Sequence, residues 1–171
     1  AYRAAIAADL GHAMAHYNLA NLLKNDRQDV DGAEKAFNAA IEGDPGDADA
    51  HVNLAYLLQI ERKDVDGAEK AYRAAIEVNP RHAQAHNNLA YLLLTEHRDL
   101  KAADKHYSAA LVIESTHTNA RAGQLYTRAS LDEQRGRGLT AAAEQFDQAA
   151  ELWGAELGTE DQAAVMARAA A

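Results

Sequence analysis

An eight-residue motif that recurs at one fixed interval limits the fold of this chain more than any other feature. The motif reads HYNLANLL from His16, HVNLAYLL from His51 and HNNLAYLL from His86, which gives a period of 35 residues. A period of about 20 to 50 residues is typical of stacked structural units rather than of one globular core. Each unit should therefore bury its apolar face only against its neighbours along the chain.

Each period predicts two helices joined by a short turn. Over residues 13–26 the apolar residues are spaced for one face of a first helix. An aspartate that can accept hydrogen bonds from the free N–H groups of the second helix recurs once per period: Asp29, Asp64 and Asp99. Asp44-Pro45 and Asn79-Pro80 predict the ends of second helices, because the residue before a proline disfavours the helical conformation.

One large ring flanked by alanines marks each second helix. These rings are Phe37, Tyr72 and Tyr107. The alternation lets a ring enter the space that alanines leave on a facing helix, at helix separations of about 8 to 10 Å. We therefore predict that the three rings are buried between helices.

The combined pattern resembles the tetratricopeptide repeat. The residues that carry the resemblance are Leu89, Ala90 and Leu93 in a first helix, Ala103, Tyr107 and Ala110 in a second helix, and Pro45 or Pro80 between units. The resemblance covers residues 1 to about 153 and implies an all-α fold, a right-handed α-solenoid of antiparallel helix pairs. Because the family's repeat has about 34 residues, we place the extra residue in the turn between first and second helix, around 27–28 and 62–63, where a surface turn tolerates it.

The repeat register divides the chain into six segments. We predict a partial repeat with only its second helix at 1–12, full repeats at 13–47, 48–82 and 83–117, a degenerate fourth repeat at 118–153 and a C-terminal capping helix at 154–171. The fourth repeat is degenerate because Arg121, Gly123 and Gln124 stand where the others have His, Asn and Leu. A chain that opens on a second helix suggests a segment of a longer array, whose uncovered N-terminal helix could support a homo-oligomer.

Composition argues against several classes of partner and of binding site. The net charge of −9 argues against a nucleic-acid partner, because neutralising phosphates requires a basic surface. The sequence has no cysteine, which excludes disulfides and thiolate metal sites. No apolar run approaches the roughly 20 residues of a membrane-spanning helix, so we predict no membrane association and a soluble, cytoplasmic protein.

No residue pattern in the sequence points to catalysis. There is no H-E-x-x-H and no phosphate-binding glycine loop, and the carboxylates recur with the period as helix caps do. His16, His51 and His86 also recur, but equivalent residues of adjacent repeats should lie about 10 Å apart, whereas zinc needs ligand atoms at about 2.0 Å. We predict packing roles for these histidines, and a non-enzymatic protein without metal or cofactor.

The informative surface is the face of the first helices that is turned away from the apolar stripe, which we call the polar face. In a superhelix of paired helices this face lines the concave groove. We predict that its binding residues are Asn18, Asn21, Asn53, Tyr56, Gln84, Asn87, Asn88, Tyr91 and Tyr126. This set is rich in amides and phenols and carries no charge, unlike a face that is only solvated.

Three asparagines of the polar face, Asn18, Asn53 and Asn88, occupy the same place in successive repeats. A side-chain amide offers a donor and an acceptor, so it can pair with the main chain of an extended peptide whatever that peptide's side chains are. The series resembles the asparagine ladder of extended-peptide binders in the family. The alternative is structural, with each asparagine holding a neighbouring helix through a hydrogen bond.

These observations predict a protein–protein interaction scaffold that binds an extended peptide or partner segment in the groove. The alternative function is a structural spacer or self-association segment of a larger assembly, with an empty groove. The family's carboxylate clamp, which grips acidic chaperone tails with Lys and Arg, is disfavoured. At the positions where the clamp would carry Lys or Arg, this sequence has the uncharged residues Gln84 and Asn88. Only Lys24 is basic on this surface.

Overall fold

The computed structural model describes residues 12–26, 28–136 and 142–152. Within these ranges all regular structure is helical, which confirms the all-α prediction. The helices are α1 Ala13–Asp26, α2 Val30–Gly43, α3 Ala48–Leu57, α4 Val65–Val78, α5 Ala83–Thr95, α6 Leu100–Ile113, α7 Thr118–Gln134 and α8 at 142–152. The predicted capping helix at 154–171, and the partial repeat apart from residue 12, lie outside the described residues. None of the helices just named is long and apolar enough to cross a lipid bilayer.

The chain divides into two compact units, Ala1–His82 and Ala83–Ala171. In the first unit α1 packs on α2 and α3 packs on α4, and in the second α5 packs on α6 and α6 on α7. The turns between these helices are short, so consecutive helices run antiparallel. Odd-numbered helices are the first helices of the repeats, and even-numbered helices are the second.

The predicted ring positions lie in the cores. Phe37 is fully buried in the first unit among Ala20, Ala33 and Leu57, with the ring of Tyr17 edge-on at 6.1 Å between centroids. Tyr72 and Tyr107, one and two periods later, are also fully buried. Burying rings of this size contributes apolar stabilisation to the packing of the helices.

The predicted capping aspartates are confirmed. Asp29 accepts from Gly32 N at 2.9 Å, and the carboxylates one and two periods later accept from the N–H three residues on at 2.9 and 3.0 Å. Each cap satisfies one of the donors that a helix start leaves free. The second helices therefore begin where the sequence pattern places them.

The turns between first and second helices hold the extra residue of the 35-residue period. After α3 the chain makes one π-helical turn, Leu58–Arg62, and Lys63 then adopts a left-handed conformation with φ of 57°. The N–H of Asp64 closes this turn by donating to the carbonyl of Leu58 at 2.9 Å, six residues earlier. In the usual helix-ending turn the N–H donor and the carbonyl acceptor are one residue closer in the sequence. The extra residue is thus accommodated in the turn, as predicted.

Replacing Lys63 by glycine should raise the free energy of unfolding by about 0.5 to 1 kcal/mol. A left-handed backbone is costly for a residue with a Cβ and free of that cost for glycine. Lys63→Ala keeps the Cβ and is the matched control, expected within about 0.5 kcal/mol of the parent. Denaturant titration of the three proteins measures the difference, and a glycine variant less stable than the alanine variant would contradict the strain argument.

Candidate functional site

The first unit contributes four of the predicted polar-face residues, from α1 and α3. Tyr56 on α3 is 45% exposed, whereas Asn18, Asn21 and Asn53 are partly buried. Tyr56 is also contacted by a cation, because Lys24 Nζ on α1 lies 5.3 Å from the centroid of its ring. Such a cation–π contact contributes about 0.5 to 1 kcal/mol at an exposed site.

A cleft of about 800 Å³ opens beside this contact. It lies between the ends of α1 and α3 and the turn that follows α1. Its lining residues are Lys24, Asn25, Gln28, Val30, Tyr56 and Glu61. The cleft places Lys24, a basic residue of the polar face, next to an exposed aromatic ring. Sequence reasoning identified both residues but not their contact.

Both N–H groups of the Asn53 side-chain amide donate hydrogen bonds within the first unit. Its Nδ2 donates to Tyr17 Oη at 3.0 Å and to the carbonyl of Asp49 at 2.9 Å. The first bond joins α3 to α1, which is the contact that the structural alternative describes. The carbonyl fixes the amide orientation, because it can only accept. Asn53 Oδ1 has no donor among the described residues and stays available.

Asn88, one period later in the second unit, has the opposite arrangement. Its Oδ1 accepts from Gln84 Nε2 at 2.6 Å and from Asn87 Nδ2 at 3.2 Å. No described residue accepts from Asn88 Nδ2. Gln84 is exposed, while Asn88 and Tyr91 are partly buried. The second unit therefore brings Gln84, Asn87 and Asn88 together on α5, with the donor end of Asn88 uncommitted.

The structure corrects the expected exposure of two residues. Asn87 is 7% exposed and Tyr126 is 6% exposed, so neither side chain lies open on the surface. The ring of Tyr126 packs edge-on against Phe146 of α8 at 5.2 Å between centroids. Burial raises the pKa of Tyr126, with a smaller opposing effect from Ser130. Tyr126 thus belongs to the interior of the second unit, because α8 covers a ring that the repeat register leaves uncovered.

Gly123 occupies the position of the fourth repeat that is equivalent to Asn53 and Asn88, and the ring of Tyr107 fills the space beside it. A Cβ on Gly123 would lie 2.6 Å from Tyr107 Oη and closer still to the ring carbons. Burial raises the pKa of Tyr107 far above its ordinary value, so the phenol stays protonated. A side-chain amide cannot occupy this position while Tyr107 lies there.

The histidine series has packing and hydrogen-bonding partners. His51 Nε2 lies 3.2 Å from the carbonyl of Pro45. The Nδ1 atoms of His86 and His106 lie 3.0 Å apart, so one ring donates to the other, a pair that the periodicity did not predict. Over residues 12–26, 28–136 and 142–152 there is no group of three or more His, Cys, Asp or Glu side chains placed to hold a metal ion.

Two family models match the sequence. Both are described as tetratricopeptide repeat, one over residues 57–118 and the other over residues 24–86. No curated protein matches the sequence.

Solved structures of tetratricopeptide repeat proteins and other proteins with a similar fold also match this chain. MamA matches with a TM-score of 0.70 at 18% identity, over 93% of this chain and 88% of that chain. YrrB, described as a TPR protein with an unusual peptide-binding site, matches with 0.68 at 20% identity, over 99% and 90%. The first TPR of Spaghetti (RPAP3), bound to the HSP90 peptide SRMEEVD, matches with 0.63 at 18% identity, over 70% and 92%. At these identities the likeness shows the fold, that of a TPR-like helical solenoid.

Proposed function

Because the chain belongs to the tetratricopeptide repeat family, we propose that it is a non-catalytic interaction scaffold that binds an extended peptide on its polar face. The family's repeats are scaffolds for protein–protein interaction. The finer part of the proposal concerns the ligand, which would lie along the first helices within a unit and pair with their side-chain amides through its main chain.

One observation carries the proposal: two asparagines of the polar face, Asn53 and Asn88, keep uncharged hydrogen-bonding groups that are not satisfied. Asn53 offers an acceptor and Asn88 offers a donor, and no described residue pairs with either atom. The exposed ring of Tyr56 adds an apolar contact surface with a polar end. A surface of this kind recognises main chain and shape rather than the charge of a ligand.

Two structural neighbours support a peptide as the ligand. YrrB is described by its peptide-binding site, and the first TPR of RPAP3 is bound to an HSP90 peptide. We do not propose that this chain binds an acidic peptide like that of HSP90, because uncharged Gln84 and Asn88 occupy the positions where a carboxylate clamp would carry cations. Gln84 instead donates to Asn88.

A peptide array on the purified chain, followed by calorimetry on the best binder, tests the proposal. Tyr56→Ala should weaken that binder roughly tenfold, because an exposed aromatic at an interface contributes about 1 to 2 kcal/mol. Val112→Ala is the matched control, since Val112 is 87% exposed on α6, a second helix, and should leave the affinity unchanged. An array without binders, or equal effects of the two variants, would overturn the proposal.

The structural spacer is the second candidate, favoured by one contact. The hydrogen bond from Asn53 to Tyr17 joins two first helices without any ligand. If this role is the whole function of the polar face, Asn53→Ala should lower the melting temperature, and light scattering should detect self-association while the array detects no binder. The two functions therefore predict opposite results on the same samples.

A further inference from the structure

We propose that His86 on α5 and His106 on α6 form a binding site for one divalent transition-metal ion, with Cu²⁺ and Ni²⁺ as the best-fitting ions. Each ring binds the ion through its Nδ1 atom, and water fills the remaining coordination positions. The site lies within the second unit. It uses no residue of the predicted polar-face set, so it does not depend on the peptide ligand proposed above.

The separation of the two rings matches the geometry of a shared ion. Their Nδ1 atoms lie 3.0 Å apart. Because an imidazole nitrogen binds such ions at about 2.1 Å, two nitrogens at this separation subtend an angle of about 90° at the ion. That is the angle between neighbouring ligands in square-planar complexes, a geometry typical of Cu²⁺ and Ni²⁺ with nitrogen ligands. A tetrahedral zinc site would need the two nitrogens about 3.4 Å apart.

The pair can present a lone pair from each ring. The ring centroids lie 5.3 Å apart, farther than the nitrogens by about the width of one ring, so the Nδ1 atoms are the facing edges. A hydrogen bond between them needs one Nδ1 protonated and the other unprotonated. The second lone pair becomes available when the donor ring moves its proton from Nδ1 to Nε2. A neutral imidazole carries one proton in either tautomer, so the ion replaces the shared hydrogen bond with no net loss of protons.

Binding also requires each ring to turn until its lone pair points at the ion rather than at the other nitrogen. The terminal torsion of a histidine side chain is soft, which allows this adjustment. His86 is 8% exposed, whereas His106 is partly buried, so an ion reaches the pair from the side of His106. The net charge of −9 favours the approach of a cation.

The second ligand is specific to the third repeat. Its first-helix histidine has an equivalent in each of the two preceding repeats, but the residue immediately before the buried ring does not recur. That residue is in turn Ala36, Ala71 and His106. An alanine side chain has no ligand atom, so the series of first-helix histidines finds an imidazole at this place only at His86. The site therefore depends on a departure from the repeat and not on the repeated histidine alone.

Two protein ligands leave most of the coordination sphere open. A catalytic zinc site has three protein ligands, and no group of three or more His, Cys, Asp or Glu side chains is placed to hold an ion among the described residues. Water therefore completes the coordination. The ion would join α5 to α6, the first and second helices of one repeat. Because it binds the folded chain, it should stabilise that helix pair.

The test titrates Ni²⁺ into the untagged, chelator-treated chain by calorimetry. The variant His106→Gln removes the imidazole, while its amide can still donate to His86 and has no nitrogen lone pair for a metal. Its affinity for Ni²⁺ should fall at least tenfold, because even the partners of metal ligands contribute about 10- to 100-fold. His97→Ala is the matched control: it removes an exposed imidazole of the same unit and should leave the affinity unchanged.

Two further readouts separate metal binding from a structural role of the hydrogen bond. Electron paramagnetic resonance with Cu²⁺ should show two imidazole nitrogens on the ion in the parent and fewer in His106→Gln. Saturating Ni²⁺ should raise the melting temperature of the parent and of His97→Ala, but not that of His106→Gln. His86→Gln provides the reciprocal test, and it replaces His106→Gln if that variant does not fold.

Three results would overturn the site. The first is the absence of Ni²⁺ binding to the parent, and the second is equal binding by the parent and the glutamine variants. The third is an equal loss of affinity in His97→Ala, which would assign the binding to adventitious coordination by surface imidazoles.

Discussion

Replacing Tyr72 by alanine is expected to lower the free energy of unfolding by about 3 to 5 kcal/mol, the usual cost of removing a fully buried aromatic ring. The ring has no exposed surface, and its hydroxyl donates to Gln59 Oε1 at 3.1 Å. The substitution therefore leaves a large cavity and also leaves Gln59, itself buried, without this donor. Denaturant titration followed by circular dichroism measures the loss.

A matched series separates the ring from its hydroxyl. Tyr72→Phe keeps the ring and removes only the hydrogen bond, so the expected cost is about 1 to 3 kcal/mol. Lys63→Ala in the exposed turn should stay within about 0.5 kcal/mol of the parent. If the phenylalanine and alanine variants lost the same stability, the hydrogen bond rather than the packed ring would hold α4 in place.

The helix positions were predictable because they depend on local chemistry that repeats. The bounds of α1 follow from the spacing of its apolar residues, and the starts of the second helices follow from one capping aspartate per period. The buried rings follow from their alanine neighbours. These features depend on contacts within a repeat or with the adjacent one, which the 35-residue register already encodes.

The different hydrogen bonds of Asn53 and Asn88 were not predictable from the same register. Asn18, Asn53 and Asn88 occupy equivalent positions, but the residue immediately before this asparagine differs from repeat to repeat. It is Tyr17, Val52 and Asn87 in turn. A tyrosine hydroxyl accepts from the next asparagine, a valine cannot, and an asparagine donates to its own neighbour. A comparison of these variable neighbours, rather than of the repeated asparagine, is the signal that could have separated the two hydrogen-bond arrangements.

Tyr126 shows the other limit of sequence reasoning. Its register places it with Tyr56 and Tyr91 on the polar face, yet Phe146 of α8 packs against it. The fourth repeat departs from the period by several residues after α7, so the register no longer predicts which surface α8 covers. The burial of Tyr126 depends on that tertiary contact.

Replacing Gly123 by alanine is expected to destabilise the second unit by about 1 to 3 kcal/mol, the range for overpacking a filled core. Alanine favours a helix over glycine by about 1 kcal/mol, which on an open helix surface would make this substitution stabilising. Here the new Cβ would lie 2.6 Å from Tyr107 Oη and closer to the ring carbons. The ring is 1% exposed and has little room to move, so the steric cost should exceed the helix-propensity gain.

A double-mutant cycle with Tyr107→Leu tests the cause of this loss. Once the ring is shortened, Gly123→Ala should cost little or become stabilising, and the coupling between the two sites should exceed about 1 kcal/mol. Gly46→Ala is the control, because a Cβ there meets only the Asp44 side chain at 3.3 Å. Equal effects of Gly123→Ala in both backgrounds would contradict the contact with Tyr107. Strong coupling would show why the fourth repeat carries glycine where the first three carry asparagine: the ring of Tyr107 occupies the space that an asparagine side chain would need.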